Sequence, residues 1–105
     1  MQGRIVIVAY RPKHGKENEL KKLAKDHYAI LHEQGFVTER TPVLMQAKDN
    51  TIIEVFEWKS TDIIKHAHTN AAVLKLWEQY SLVCDYVPVA SVMESANLFS
   101  EFSPL

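Results

Sequence analysis

The segment from Glu54 to Tyr86 constrains the fold more than any other part of this sequence. After Glu54 it continues with Val-Phe-Glu-Trp, a pattern typical of a β-strand, and it holds five of the ten aromatic side chains, including both tryptophans. Further along, apolar residues recur at the spacing of one helix face: Val73, Leu76, Trp77, Tyr80, Val83, Cys84 and Val87. The segment therefore predicts a strand followed by a broken helix whose buried stripe carries Trp77 and Tyr80.

Two elements are predicted before this segment. Arg4 to Arg11 reads as a strand with apolar residues on both faces, so both faces should be covered. From about Lys16 to Gln34 the pattern is that of an amphipathic helix, and Gly35 stands where a helix C-terminal glycine belongs. His27 lies on the apolar stripe of this helix.

A hairpin is predicted between the first helix and the broken one. Thr41 to Lys48 and Thr51 to Trp58 read as strands joined at Asp49-Asn50. Closing the hairpin at these two residues pairs positions whose numbers sum to 99. That register places one acidic residue, Glu54, among apolar neighbours on a single face, with Val43, Met45, Ala47, Ile52, Phe56 and Trp58.

The second helix is predicted in two pieces, and the end of the chain has two interpretations. Ser60 is a natural N-cap for a helix from Thr61 to His68, and Asn70 caps a second piece from Ala71 to about Asp85. After Tyr86, the last strand is either within 88–95 or, as we favour, within 97–103, where Pro104 would end it.

The resulting order, β-α-β-β-α-β, predicts a ferredoxin-like α+β fold, with an antiparallel sheet and helices on one of its faces. A chain of 105 residues with no break in composition is expected to form one domain over 1–105. The second, apolar face of the sheet then needs a cover. A homodimer with sheet packed against sheet is the simplest solution, because a two-fold interface needs one self-complementary patch.

Composition argues against several classes of partner. A net charge of −1 and a pI near 6.5 give no field that would hold nucleic acid. The N-terminal apolar run spans six residues, which is too short for a membrane or signal segment. The single cysteine, Cys84, favours a reducing compartment. We therefore expect a cytoplasmic protein that binds neither nucleic acid nor membrane.

Two residues are candidates for acid–base chemistry. His27 is either a buried histidine with a hydrogen-bond partner or an imidazole that faces a cavity. Glu54 either meets an arginine or serves as a general base in a pocket. His66 and His68 fall on opposite flanks of their helix, so no metal site is expected there. Cys84, on the buried stripe, is expected to be an inert thiol.

Most of the chain resembles the antibiotic biosynthesis monooxygenase family of dimeric α+β barrels. The similarity is carried by VAYRPKHGKENELKKLAKDHYAILHEQG, with its strand, turn and helix, and by VFEWKSTDIIKHAHTNAAVLKLWEQY, with its strand and broken helix. The resemblance implies a dimer with a cleft between helices and sheet. It also implies, as in some members, oxidation of polycyclic phenols by oxygen without metal or flavin, so no cofactor is expected.

The haem-degrading members of that superfamily differ from this chain. They use a tryptophan, a histidine ten residues later, and an asparagine on the first strand. Ala67 and Trp77 occupy the first two positions here, and the first strand has no asparagine. The resemblance therefore does not extend to haem degradation.

The leading hypothesis is a cofactor-independent monooxygenase-like enzyme that acts on a small aromatic or quinol-type molecule. It needs a base, a polar anchor and aromatic walls. His27 or Glu54 is the candidate base, and the candidate substrate contacts are Tyr28, Phe56, His66, Asn70, Trp77 and Tyr80. The alternatives are a non-catalytic dimeric module that binds a small ligand, and an acid–base isomerase or enzyme that detoxifies reactive carbonyl compounds.

Overall fold

The computed structural model describes residues 2–105 and confirms the ferredoxin-like α+β fold. Its five strands form one antiparallel sheet in the order β4-β1-β3-β2-β5. The helices pack on one face of this sheet. The elements are β1 (Arg4–Pro12), α1 (Glu17–Glu33), β2 (Val43–Gln46), β3 (Ile52–Trp58), α2 (Thr61–Ala67), α3 (Ala71–Val83), β4 (Cys84–Val87) and β5 (Ser103–Pro104), with short 3-10 turns at Val89–Ser91 and Met93–Ala96.

The predicted breaks between elements are made by local hydrogen bonds. The Ser60 hydroxyl accepts from the Ile63 amide at 3.2 Å, and the Asn70 side chain accepts from the Val73 amide at 3.0 Å. Each satisfies a backbone donor at a helix start that has no partner within the helix. Gly35, with φ of +79°, follows the end of α1. The second helix is therefore divided into α2 and α3, as predicted.

The predicted register of the hairpin is wrong by one residue. β2 and β3 pair Leu44 with Glu54 and Val43 with Val55, so paired numbers sum to 98. Asn50 adopts a left-handed conformation with φ of +73°, and the Ala47 amide donates to the Thr51 carbonyl at 2.9 Å. The loop therefore holds three residues, Lys48, Asp49 and Asn50. As a result Leu44 and Gln46 share the face of Glu54, and Val43 and Met45 lie on the opposite face.

The end of the second helix and the end of the chain also differ from the prediction. Helical spacing continues to Val87 in the sequence, but α3 ends at Val83 and β4 pairs with β1, with Tyr86 opposite Tyr10. The favoured strand over 97–103 is wrong apart from its last residue. β5 spans Ser103–Pro104 and pairs with β2, and 3-10 turns occupy most of 88–95.

The second face of the sheet is covered in part by the C-terminal segment. Val92 is buried there with Ala9, Ala47 and Ile53, and Phe102 packs against them. The other end of this face is open, since the side chains of Ile5, Ile7 and Val43 are 56%, 52% and 51% exposed. Across residues 2–105, no helix has both the length and the apolar character needed to span a bilayer.

We predict that Asn50 sets the register of the hairpin. Asn50→Ala should lower the free energy of unfolding by about 1 kcal/mol, because a Cβ without a polar group disfavours the left-handed conformation. Asn50→Gly is the matched control and should leave stability nearly unchanged, because glycine adopts positive φ freely. Urea unfolding of both variants tests this, and an alanine variant as stable as the glycine variant would contradict it.

Candidate active site

A cleft of about 350 Å³ lies between the helices and the sheet, where the resemblance implied one. Its walls are almost entirely apolar and come from all three helices and three strands. The lining residues are Val6, Val8, Tyr10, His27, Phe56, Trp58, Ile64, Trp77 and Tyr86. This size lies within the range of small-molecule sites, ~300–1,000 Å³.

A buried imidazole–carboxylate pair stands at the wall of the cleft. His27 Nδ1 lies 2.8 Å from Glu54 Oε1 and 3.1 Å from Oε2, and the two residues are 3% and 0% exposed. An ionised carboxylate can only accept hydrogen bonds, so the imidazole hydrogen is assigned to Nδ1. Nε2 makes no hydrogen bond with the described residues, and His27 lines the cleft. Nε2 is therefore the imidazole nitrogen available to the cleft.

Three aromatic rings fix the plane of the imidazole. Phe56 and Tyr80 meet it nearly perpendicular, with ring centroids 5.4 Å and 5.5 Å away, and Tyr10 does so at 6.5 Å. Edge-to-face contacts of this kind stabilise one ring orientation. Together with the Glu54 contact, they hold His27 in place before any ligand binds.

Two tyrosines stack next to this pair, but they differ in their hydrogen bonds. The rings of Tyr10 and Tyr80 are 4.7 Å apart and 18° from parallel. The Tyr10 hydroxyl donates to Glu54 Oε1 at 2.7 Å. Burial, and then the negative charge of Glu54, raises the pKa of Tyr10 well above its ordinary value, so this hydroxyl keeps its proton. The Tyr80 hydroxyl is buried beside Tyr10 without a hydrogen bond of good geometry.

The structure brings together four of the eight predicted site residues and places a fifth next to them. His27, Phe56 and Trp77 line the cleft, and Glu54 lies directly behind His27. Tyr80 packs against the His27 ring but does not line the cleft. The functional roles of these residues remain predictions.

The other three candidates lie outside the cleft lining. The Tyr28 hydroxyl donates to the Thr38 carbonyl at 2.6 Å. Asn70 caps α3 and donates its side-chain amide to the Gln34 side chain at 3.1 Å. His66 is exposed on α2. These contacts give Tyr28 and Asn70 structural roles, and none of the three residues takes part in the chemistry proposed below.

The sequence reasoning missed several residues of the cleft, with Tyr10 the most important. Tyr10 shares a face of β1 with Val6 and Val8, and its neighbour across the strands is Ile52. The alternation of β1 placed these three residues together, but it did not indicate which face the helices cover. Tyr86 was missed because no strand was predicted at β4, whose first two residues, Cys84 and Asp85, were assigned to the helix. Burial, followed by the nearby Cys84 and Glu54, raises the pKa of Tyr86 to about 12.

The remaining reactive groups give no second centre. Cys84 is buried, its thiol donates to the Tyr80 carbonyl at 3.3 Å, and burial raises its pKa to about 11. The thiol is therefore protonated and unreactive near neutral pH. Across residues 2–105, no three His, Cys, Asp or Glu side chains are grouped so that they would hold a metal ion.

Fold and site together define a ferredoxin-like α+β protein with an acid–imidazole pair at the wall of an apolar cleft. No family model matches the chain, and no curated protein sequence matches it. Its fold is similar to the crystal structure of SnoaB, a cofactor-independent oxygenase from Streptomyces nogalater. The TM-score is 0.69 with 13% sequence identity, over 83% of this chain and 88% of that chain. At this identity the similarity establishes the fold.

We predict different effects on stability from replacing each of the two stacked tyrosines with phenylalanine. Tyr10→Phe should lower the free energy of unfolding by about 1.5–3 kcal/mol, because a buried carboxylate loses a donor. Tyr80→Phe is the matched control and should be neutral or stabilising, because it removes a buried hydroxyl that has no good partner. Urea unfolding with unchanged m-values measures both changes. Equal losses from the two variants would contradict the assigned hydrogen bonds.

Proposed function

We propose that this protein is a cofactor-independent oxygenase that takes a proton from a small aromatic hydroxy or quinol-type compound. The observation that carries the proposal is the His27–Glu54 pair at the wall of an apolar cleft. The pair supplies a proton acceptor where the substrate would lie. The fold similarity to a cofactor-independent oxygenase supports the choice of oxygen as the co-substrate.

His27 is the base in this proposal, and Glu54 orients it. The Glu54 carboxylate is buried behind the imidazole, and both its oxygens accept from protein donors. It is therefore not free to meet a substrate. Nε2 of His27 faces the cleft and accepts the phenolic proton, and Glu54 stabilises the imidazolium that forms.

The apolar walls then favour reaction of the substrate anion with oxygen. A phenolate surrounded by Phe56, Trp58 and Trp77 has little hydration to lose before it donates electrons to O2. Bond formation at a ring carbon that bears hydrogen gives a hydroperoxide. Loss of water from it leaves a quinone, so one phenol and one O2 give one quinone and one H2O. The proton held by His27 returns to the peroxide oxygen.

Oxygen uptake with a panel of phenols and quinols of one to three rings tests this function. We expect a substrate whose oxidation consumes one O2 per quinone formed. His27→Gln should lower kcat about 10²–10⁴-fold, because the proton acceptor is lost. His66→Gln is the matched control and should retain full activity, since His66 is exposed outside the cleft. Melting temperatures distinguish lost chemistry from lost folding.

Other outcomes would contradict the oxygenase proposal in specific ways. Turnover of a substrate with no oxygen consumed would favour an acid–base isomerase with the same histidine. Tight binding of the panel without turnover, unaffected by His27→Gln, would favour a ligand-binding module.

We also propose that the protein forms a homodimer through the open part of the second sheet face. Ile7, Val55 and Val43 form one row across β1, β3 and β2, and both Ile7 and Val43 are about half exposed. Ile5 extends this apolar patch. Large apolar patches on small proteins are typical of interaction surfaces, and a two-fold interface would cover this one with a second copy.

Light scattering after gel filtration at micromolar concentration tests the dimer. We expect twice the monomer mass for the native protein and a shift to the monomer for Ile7→Lys or Val43→Lys, because a charge would be buried at the interface. Leu82→Lys is the control, since Leu82 is 68% exposed on α3, and it should remain dimeric. A monomeric native protein would overturn the proposal.

A further inference from the structure

One carboxylate oxygen of Glu54 serves two donors. Its Oε1 accepts from the Tyr10 hydroxyl at 2.7 Å and from His27 Nδ1 at 2.8 Å, and Oε2 accepts from the same imidazole nitrogen at 3.1 Å. Tyr10 and His27 are 2% and 3% exposed, so both donors are buried together with the carboxylate. The negative charge of Glu54 is therefore shared between the hydroxyl and the imidazole.

The groups that face His27 come from every element packed against it. β1 contributes Tyr10, β3 contributes Glu54, and α3 contributes Tyr80, while Tyr86 of β4 lines the same cleft. Glu54 is the acidic member of this set, and the other three are phenols. The charge that His27 experiences therefore depends mainly on how well the Glu54 carboxylate is neutralised by hydrogen bonds.

We propose that Tyr10 is a positioning residue that keeps the His27 imidazole neutral, with its hydrogen on Nδ1 and its lone pair on Nε2 in the cleft. If Glu54 accepted a hydrogen bond from His27 alone, its full negative charge would favour the doubly protonated imidazolium. A carboxylate that also accepts from Tyr10 favours it less. The Tyr10 hydrogen bond takes up part of the charge and fixes the carboxylate in the plane that Nδ1 requires. This inference rests on the proposed function for the use of that lone pair, but its test needs no substrate.

Tyr80 provides an unusually close control. It is buried, stacks on Tyr10 and contacts the same imidazole, yet its hydroxyl makes no good hydrogen bond. Replacing either tyrosine with phenylalanine removes one oxygen from the same stack. A general packing effect on His27 would appear in both variants, whereas an effect through Glu54 would appear in the Tyr10 variant.

The test is the protonation state of His27 in protein labelled with 15N-histidine, read at pH 7 from long-range 1H–15N correlation spectra. His27→Gln identifies the His27 signals among the five histidines by their loss. We expect the native protein and Tyr80→Phe to show a neutral ring with hydrogen on Nδ1. Tyr10→Phe should raise the ratio of cationic to neutral imidazole about tenfold, the size expected from losing one hydrogen bond to a charged group.

A second variant keeps the test decisive if Tyr10→Phe does not fold. Site-specific 3-fluorotyrosine at position 10 keeps the ring and strengthens the donor, so it should lower the cationic fraction relative to native protein at acidic pH. The proposal is overturned if the native ring is cationic at pH 7, if the Tyr10 and Tyr80 variants shift equally, or if fluorotyrosine has no effect. A protein that consumes no oxygen can still show the Tyr10-specific change, so this proposal and the proposed function fail separately.

Discussion

The structure depends on how it accommodates the buried carboxylate of Glu54. β3 is the middle strand of the sheet, and Glu54 is 0% exposed there. An unpaired charge at such a site costs several kcal/mol. Its donors come from two other elements, Tyr10 on β1 and His27 on α1. A slip of one residue between β1 and β3 would turn Tyr10 to the other face, so this polar contact disfavours wrong strand pairings as well as building the site.

Aromatic contacts connect the buried Glu54, Tyr10 and His27 to the helices that pack on the sheet. Tyr80 connects α3 to both Tyr10 and His27, and Phe56 supports the imidazole from the strand that carries Glu54. The first helix, the third helix and the centre of the sheet therefore share one packed unit. An imidazole held by such a unit needs little reorganisation when a ligand enters, and the proposed proton transfer in an apolar site requires such preorganisation.

Much of this architecture follows from local sequence signals. The alternation of β1, the stripe of α1 and the caps at Ser60 and Asn70 each act over a few residues, so their patterns predict structure directly. The wrong prediction of the hairpin register came from one backbone conformation. The left-handed Asn50 moved the hairpin by one residue, which reassigned every side chain of β2 to the opposite face.

Partners that are distant in the sequence could not be predicted in the same way. Cys84 continues the helical spacing, yet the chain becomes a strand there because β1 offers an edge for pairing. Likewise, Glu54 was expected to meet an arginine or to act as a free base, and it instead meets His27 and Tyr10. These contacts span 27 and 44 residues and depend on the assembled fold. The two candidate bases thus proved to be one unit.

Because the chain breaks between α2 and α3, these two helices contact the cleft as separate elements. The hydrogen-bonded Tyr10, Glu54 and His27 lie on β1, β3 and α1. By contrast, Ile64 and Trp77 reach the cleft from two helices that Asn70 divides. α2 has its own cap at Ser60 and contributes no group to the carboxylate. Substitutions within this seven-residue helix can therefore change the cleft wall at Ile64 without altering the hydrogen bonds of Glu54, so the shape of the cleft and the proposed proton transfer can change independently.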